Sequence, residues 1–145
     1  MIAIASDHGG YPLKEHIKAY LAAKGITCQD FGTDSTESCD YPAFGKAAAQ
    51  AVASGQCEWG IVICTTGIGI SMAANKVHGI RCAHCADTVE ARLTREHNDA
   101  NMLAIGAGFT GELLALEMVD VFLNTPFSEG ERHARRVAKV NAIQP

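Results

Sequence analysis

Between Gly60 and Ser71 the chain reads GIVICTTGIGIS. An unbroken apolar run ends in a cysteine, breaks into a glycine turn and resumes with helix-compatible residues. An apolar run without polar alternation marks a strand buried on both faces, as in parallel sheets covered by helices. The turn then leads into a helix start, whose free N–H groups converge on one spot and favour negative charge there. Cys64 stands at the edge of that spot. Such an arrangement suits chemistry that removes a proton and builds charge on an oxygen.

The same alternation recurs along the chain. The pattern predicts strands near Ile2–Ser6, Ile26–Phe31, Gly60–Cys64, Gly79–Cys85 and Asn101–Gly106. Helices are predicted near Pro12–Lys24, Tyr41–Ser54, Ile70–Lys76, Thr88–Glu96, Gly111–Leu123 and Glu131–Ala142. Five strands separated by helices imply an α/β fold. The expected form is a Rossmann-like three-layer αβα sandwich around a five-stranded parallel sheet, with the common strand order 2-1-3-4-5. With 145 residues, 48% of them hydrophobic, and no linker or repeat, the chain reads as a single domain over residues 1–145. Ligands of such sheets bind at the carboxyl ends of the strands. Here those are the loops Asp7-His8-Gly9-Gly10, Cys64 to Gly69, and Gly106-Ala107-Gly108.

Composition narrows the partners. A net charge of −4 does not favour nucleic acid or an anionic membrane surface. No apolar run approaches a membrane span. Met1 to Ser6 reads as a strand rather than a signal peptide, since glycines follow at once. The six cysteines are scattered and several fall in apolar segments, so reduced thiols and a cytoplasmic location are expected.

Several motifs carry both a functional and a plainer reading. Asp7 and His8 stand beside two glycines at a ligand edge, yet Asp7 equally serves to cap the following helix. Gly67-Ile68-Gly69-Ile70-Ser71-Met72 is a partial dinucleotide fingerprint, but Met72 replaces its third glycine and the loop follows the third strand rather than the first. The loop serves equally as a small oxyanion cradle. Arg132 and Arg136 lie i,i+4 on one helix face and form a forked phosphate clamp, or else favour the negative end of the helix dipole. Cys82-Ala83-His84-Cys85 contains a CxxC, but residues three apart in a strand point to opposite faces, so packed core thiols are favoured over metal binding. The polar run Thr94 to Asn101 reads by itself as a helix end and loop, where His97 suits the negative dipole.

Taken together, the motifs resemble the sugar-phosphate isomerase family that contains type B ribose-5-phosphate isomerases and galactose- and allose-6-phosphate isomerases. The resemblance covers nearly the whole chain. It is carried by Ser6-Asp7-His8-Gly9-Gly10, Asp30-Phe31-Gly32-Thr33, Asp40-Tyr41-Pro42, Cys64 to Ser71 and Ala73-Ala74-Asn75-Lys76. Gly79-Ile80-Arg81, Arg95 to Asn101, Arg132-His133 and Arg136-Val137 complete it. It implies an aldose–ketose isomerisation through an enediolate, with no metal or cofactor. By resemblance Cys64 is the base that moves a proton between C1 and C2, assisted by Thr66. His97, with Asp7, opens the sugar ring. His8, Arg132 and Arg136 hold the phosphate. The N–H groups from Thr65 through Gly67, Ile68 and Gly69, with Asn98, steady the enediolate oxygen, and Ser71 belongs to the same substrate-binding loop. The acid–base demand agrees: a thiol near its reference pKa is mostly protonated at neutral pH, and a helix N-terminus favours the thiolate a base must be.

Two positions depart from the family. Its loop usually reads Cys-Gly-Thr-Gly where this chain has Cys64-Thr65-Thr66-Gly67, and it often carries a substrate-contacting arginine where this chain has Gly108. Both leave the sugar open between a pentose and a hexose phosphate; a non-catalytic sugar-phosphate binder is a third reading. Strand polarity adds an expectation about assembly. Cys64 follows the third strand, whereas His97 and Asn98 precede the fifth, so they lie at opposite sheet edges. A homodimer with shared sites would bring them together.

Overall fold

Along the strand β1 (Ile2–Ser6), Ile2 and Ile4 enter one layer of core and Ala3 and Ala5 the other. The same alternation separates Ile61 and Ile63 from Val62 and Cys64 in β3 (Trp59–Cys64), and Leu103 and Ile105 from Met102 and Ala104 in β5 (Met102–Gly106). These three strands are buried almost throughout, as strands covered on both sides must be. The two remaining strands, β2 (Cys28–Asp30) and β4 (Cys82–His84), are short and partly exposed. This computed structural model describes residues 1–143.

Six helices complete the described residues. Helices α1 (Tyr11–Ala23), α4 (Thr88–Asn98) and α5 (Glu112–Asn124) contribute Leu13, Ile17, Leu21, Ala91, Met118 and Phe122 to one core layer. On the other face, α2 (Tyr41–Ala53) and α3 (Ile68–Ala74) contribute Ala48, Ala49, Ala51, Val52, Ile70 and Ala74. The last helix, α6 (Glu131–Asn141), packs on α4 and buries none of its own residues within the single chain. The three-layer αβα sandwich is as expected. Among the described residues no helix is long and apolar enough to cross a membrane.

The strand order differs from the expected 2-1-3-4-5. All pairings are parallel, but the order is β2-β1-β3-β5-β4. The reason lies in composition. Met102 to Gly106 is wholly apolar and takes an interior position, whereas β4 ends in exposed His84 and can serve only as an edge. The chain therefore steps past one position from β3 to β4 and returns to insert β5. Right-handed crossovers require the helices of the outward and return steps to lie on opposite faces, as α3 and α4 do. One consequence is functional: the turn after β5, rather than that after β4, lies beside the Cys64 loop.

Candidate active site

The turn after β3 is built around Gly67, which adopts φ +76° and serves as N-cap of α3. A Cβ there would also lie 2.8 Å from the backbone of Ile105 and Gly106, so no other residue fits without displacing β5. This left-handed turn directs the Gly67 N–H at Cys64 Sγ, 3.1 Å away. The sulfur, on a residue only 4% exposed, thus accepts from a fixed backbone donor at a helix start. The next N–H, of Ile68, donates to Thr66 Oγ1 at 3.1 Å. Two donors of the expected oxyanion cradle are therefore engaged within the loop itself. Ser71 Oγ donates to the Ile68 carbonyl at 2.7 Å and is mostly buried, so it braces the first turn of α3.

Neighbouring loops converge on this turn. The Ala107 and Gly108 N–H groups donate to the carbonyls of Cys64 and Thr65 at 2.9 and 2.8 Å, fixing the β5 turn against it. From β1, buried Asp7 accepts the Gly10 N–H at 3.2 Å, holding the start of α1. The cap of α1 is Gly10, with no side-chain cap bond, so Asp7 does not cap the helix but braces the turn before it, and it also borders the cleft. That cleft, about 490 Å³, is lined by Asp7, Tyr41, Cys64, Thr65, Thr66, Ile68, Gly69 and Met72. Beside Asp7, His8 Nδ1 accepts the Cys39 N–H at 3.2 Å. A nitrogen that accepts carries no proton, so in the neutral ring Nε2 is the donor.

His97 and Asn98 occupy the last turn of α4, at the amino edge of the sheet. Beside them, on α6, lie Arg132, His133 and Arg136. The His97 and His133 rings stack with centroids 4.4 Å apart and planes tilted by 34°. Ser128 Oγ lies 3.0 Å from His133 Nδ1. Partial desolvation, together with repulsion from His97, Arg132 and Arg136, holds His133 below the usual imidazole range. Asn98 and Arg136 line a second cleft, of about 300 Å³, whose floor includes Ile80, Arg81 and Cys82. His133 was visible in sequence only as part of a basic cluster; its stacking on His97 depends on how α6 crosses α4, which no local pattern records.

The candidate residues thus fall into two groups at opposite ends of the central strands. Cys64 pairs with Gly106 at the carboxyl end of β5, while His97 and Asn98 precede its start. Five residues of strand separate the groups by roughly 15 Å or more. The CxxC cysteines are also divided, Cys82 packing beneath α2 and α3 and Cys85 in the opposite layer. Burial pushes both thiols up, Cys85 to about 12.

The model of the ribose/galactose isomerase family matches residues 2–140. The chain belongs to that family. Its family relatives include the ribose-5-phosphate isomerase B of Escherichia coli, 46% identical over 99% of this chain and 95% of the relative. A galactose-6-phosphate isomerase subunit of Clostridium acetobutylicum is 44% identical over 99% of this chain and 83% of its own. Among solved family structures, that of Clostridium thermocellum ribose-5-phosphate isomerase B superposes with a TM-score of 0.94 at 55% identity, covering 97% of this chain and 94% of that one.

Proposed function

We propose that the protein interconverts ribose 5-phosphate and ribulose 5-phosphate through an enediolate, with Cys64 as the base. The observation that carries this reading is the Gly67 N–H held 3.1 Å from Cys64 Sγ at the edge of the cleft shared with Asp7 and Thr66. The open-chain aldose presents its C2 proton to the sulfur. As Cys64 takes it, the C2–H electrons form the C1–C2 double bond and the carbonyl electrons move onto the C1 oxygen. Return of the proton to C1, with transfer of the C2 hydroxyl proton to the C1 oxygen, completes the ketose. Thr66 assists the proton movement. Donors of the glycine loop and Asn98 steady the oxygen that gains charge, where fixed donors accelerate most. His97, with Asp7, opens the furanose ring. His8, Arg132 and Arg136 hold the phosphate, whose binding orients the reacting carbons from a distance.

This assignment needs both groups of residues at one substrate, and we place them together in a homodimer. Each subunit lends its His97, Asn98, Arg132 and Arg136 to the cleft of the other. Two surfaces support the pairing. α6 buries nothing in the single chain, and Ile68, Met72 and Phe109 near the Cys64 cleft are 46%, 63% and 81% exposed.

The test is Cys64→Ala. Turnover should fall by about 10²–10⁴-fold, the usual contribution of a general base, with folding and inorganic phosphate binding retained. Thiol alkylation should inactivate the wild-type protein, and substrate should protect it. Near-normal turnover of the alanine variant would make Cys64 a core thiol and end the proposal. A hexose phosphate is the second reading, favoured by Thr65 beside Gly108; rates on ribose 5-phosphate, allose 6-phosphate and galactose 6-phosphate decide between them.

A further inference from the structure

Arg81 has no part in the reaction described above, yet its side chain meets both the end of the helix that carries the ring-opening histidine and the helix that carries the phosphate-binding arginines. Its Nε donates to the carbonyls of Asn98 and Asp99 at 3.2 and 3.1 Å, and Nη2 donates to the Asp99 carbonyl at 2.8 Å. Its remaining arm, Nη1, reaches Asn141 Oδ1 at the end of α6, 2.8 Å away. We infer that Arg81 is a positioning residue: it fastens the last turn of α4, with His97 and Asn98, to α6, with Arg132, His133 and Arg136. This inference rests on the isomerase reading for its consequence in catalysis, though not for the link itself.

The guanidinium suits that place for two reasons. The last carbonyls of a helix have no partner within it, and a planar fork of donors can satisfy two of them while keeping an arm free. The turn it grips is also unusual. Asp99 is a non-glycine residue in the left-handed region, φ 45°, a conformation that persists only where the surroundings hold it. Arg95 holds the other side, donating to Asp99 Oδ1 at 2.8 Å and to the Ala100 carbonyl. The two arginines differ in what they connect. Arg95 runs inward, stacked 4.3 Å over Trp59 and bonded to the Thr125 carbonyl after α5. Arg81 runs outward to α6. Its own backbone is immobilised, because its N–H donates to Asn101 Oδ1 at 2.8 Å and its carbonyl accepts from Asn101 and Met102. The sheet edge, the histidine turn and the arginine helix are thereby joined through one side chain. α6 buries nothing in the single chain, so such polar ties add to its packing on α4 and the His97–His133 stack.

A residue that only stabilised the fold would change the melting temperature and leave the folded protein's kinetics alone. The experiment therefore compares Arg81→Gln, Arg81→Lys and Asn141→Ala with wild type, well below each melting temperature. Both Arg81 variants should lose at least tenfold in kcat/KM on ribose 5-phosphate, since lysine keeps the charge but cannot span three partners. Asn141→Ala, which cuts only the tie to α6, should weaken inorganic phosphate binding at least threefold with a near-normal melting temperature. In Arg81→Gln the nuclear Overhauser contact between the His97 and His133 rings should be lost. Arg81 variants within twofold of wild type, or full recovery in Arg81→Lys, would overturn the inference. Unchanged phosphate affinity in Asn141→Ala would do the same, and it decides the matter alone if the Arg81 variants fail to fold. Should the wild type turn over no ribose 5-phosphate, the isomerase reading fails separately. Phosphate affinity and the ring contact then still decide whether Arg81 makes the link.

Discussion

Thr65 is the residue whose surroundings bear most directly on which sugar fits. Its side chain stands between two glycines. A Cβ on Gly9 would fall on Thr65 Oγ1, and one on Gly108 would lie 3.0 Å from the Thr65 carbonyl and 3.1 Å from its methyl group. The two positions that the resemblance sets apart from the family therefore touch each other, and we expect them to act as a unit. Gly108→Arg alone crowds the loop that carries the base and should lower turnover on every sugar. Thr65→Gly removes the methyl and lets the carbonyl give, so the double variant should recover and favour the pentose phosphate. The check is a cycle of four proteins assayed on ribose 5-phosphate and allose 6-phosphate. Contacting residues couple by about 0.5–3 kcal/mol; strictly additive effects would show that the missing arginine and the added methyl are unrelated.

Among elements, α1 and β2 are held by a charge that the sequence disguises. Lys14, on what reads as an ordinary amphipathic helix, is 1% exposed. Its ammonium bonds Asp30 Oδ1 and Oδ2 at 2.9 and 2.7 Å and the Thr33 carbonyl. Lys18 adds a third bond to Asp30 at 2.8 Å. The loop so anchored runs on to Cys39, whose N–H fixes His8, so this network reaches the site. Asp30→Ala leaves the buried ammonium with only the Thr33 carbonyl and the Glu15 carboxylate, 3.7 Å away, and should cost about 1.5–3 kcal/mol in urea unfolding. Burial opposes ionisation of Asp30, but Lys14, Lys18 and the Gly32 N–H outweigh it and hold the carboxyl below its ordinary value. A depressed carboxyl contributes stability above the unfolded pKa and loses it as pH falls through the folded one. The gap between wild type and Asp30→Ala should thus be level from about pH 5 to 8 and close below about pH 4; a gap unchanged at pH 3 would refute the linkage. Lys14 shows where sequence reading ends. Element types were legible because apolar runs, glycines and helical spacing are local signals. The pairing of a buried lysine with an aspartate sixteen residues away is not, and neither is the interior place of β5. For β5 a usable signal did exist, in the contrast between its unbroken apolar run and the polar end of β4. Helix α3 starts two residues before the Ile70 expected from sequence, because Gly67, in the left-handed region, is itself the cap.

At the scale of the whole molecule, strand polarity does most to decide what one chain can do alone. A parallel sheet puts the residue after any strand and the residue before any strand at opposite edges, whatever the strand order. The interior place of β5 therefore leaves Cys64 and His97 at opposite edges, although it decides which turn abuts Cys64. A sugar phosphate spans less than the length of β5, so a cleft holding both Cys64 and His97 calls for two chains. Two-fold symmetry then yields two equal sites, each built from one Cys64 loop and one His97 turn. The proposal makes a quantitative demand. Cys64→Ala and His97→Ala should each be nearly inactive alone. Unfolded together in equal amounts and refolded, they should form mixed dimers as half of the total by random pairing. In a mixed dimer, one site receives both defects and the other neither. Activity should reappear at roughly a quarter of wild type, and should follow the fraction of mixed dimer measured by native mass spectrometry. Sites built within one chain would give no recovery at all, because every site would still carry one defect. Absence of activity in a sample with confirmed mixed dimers would therefore return His97 to the negative end of the α4 dipole and leave Cys64 without its proposed partner.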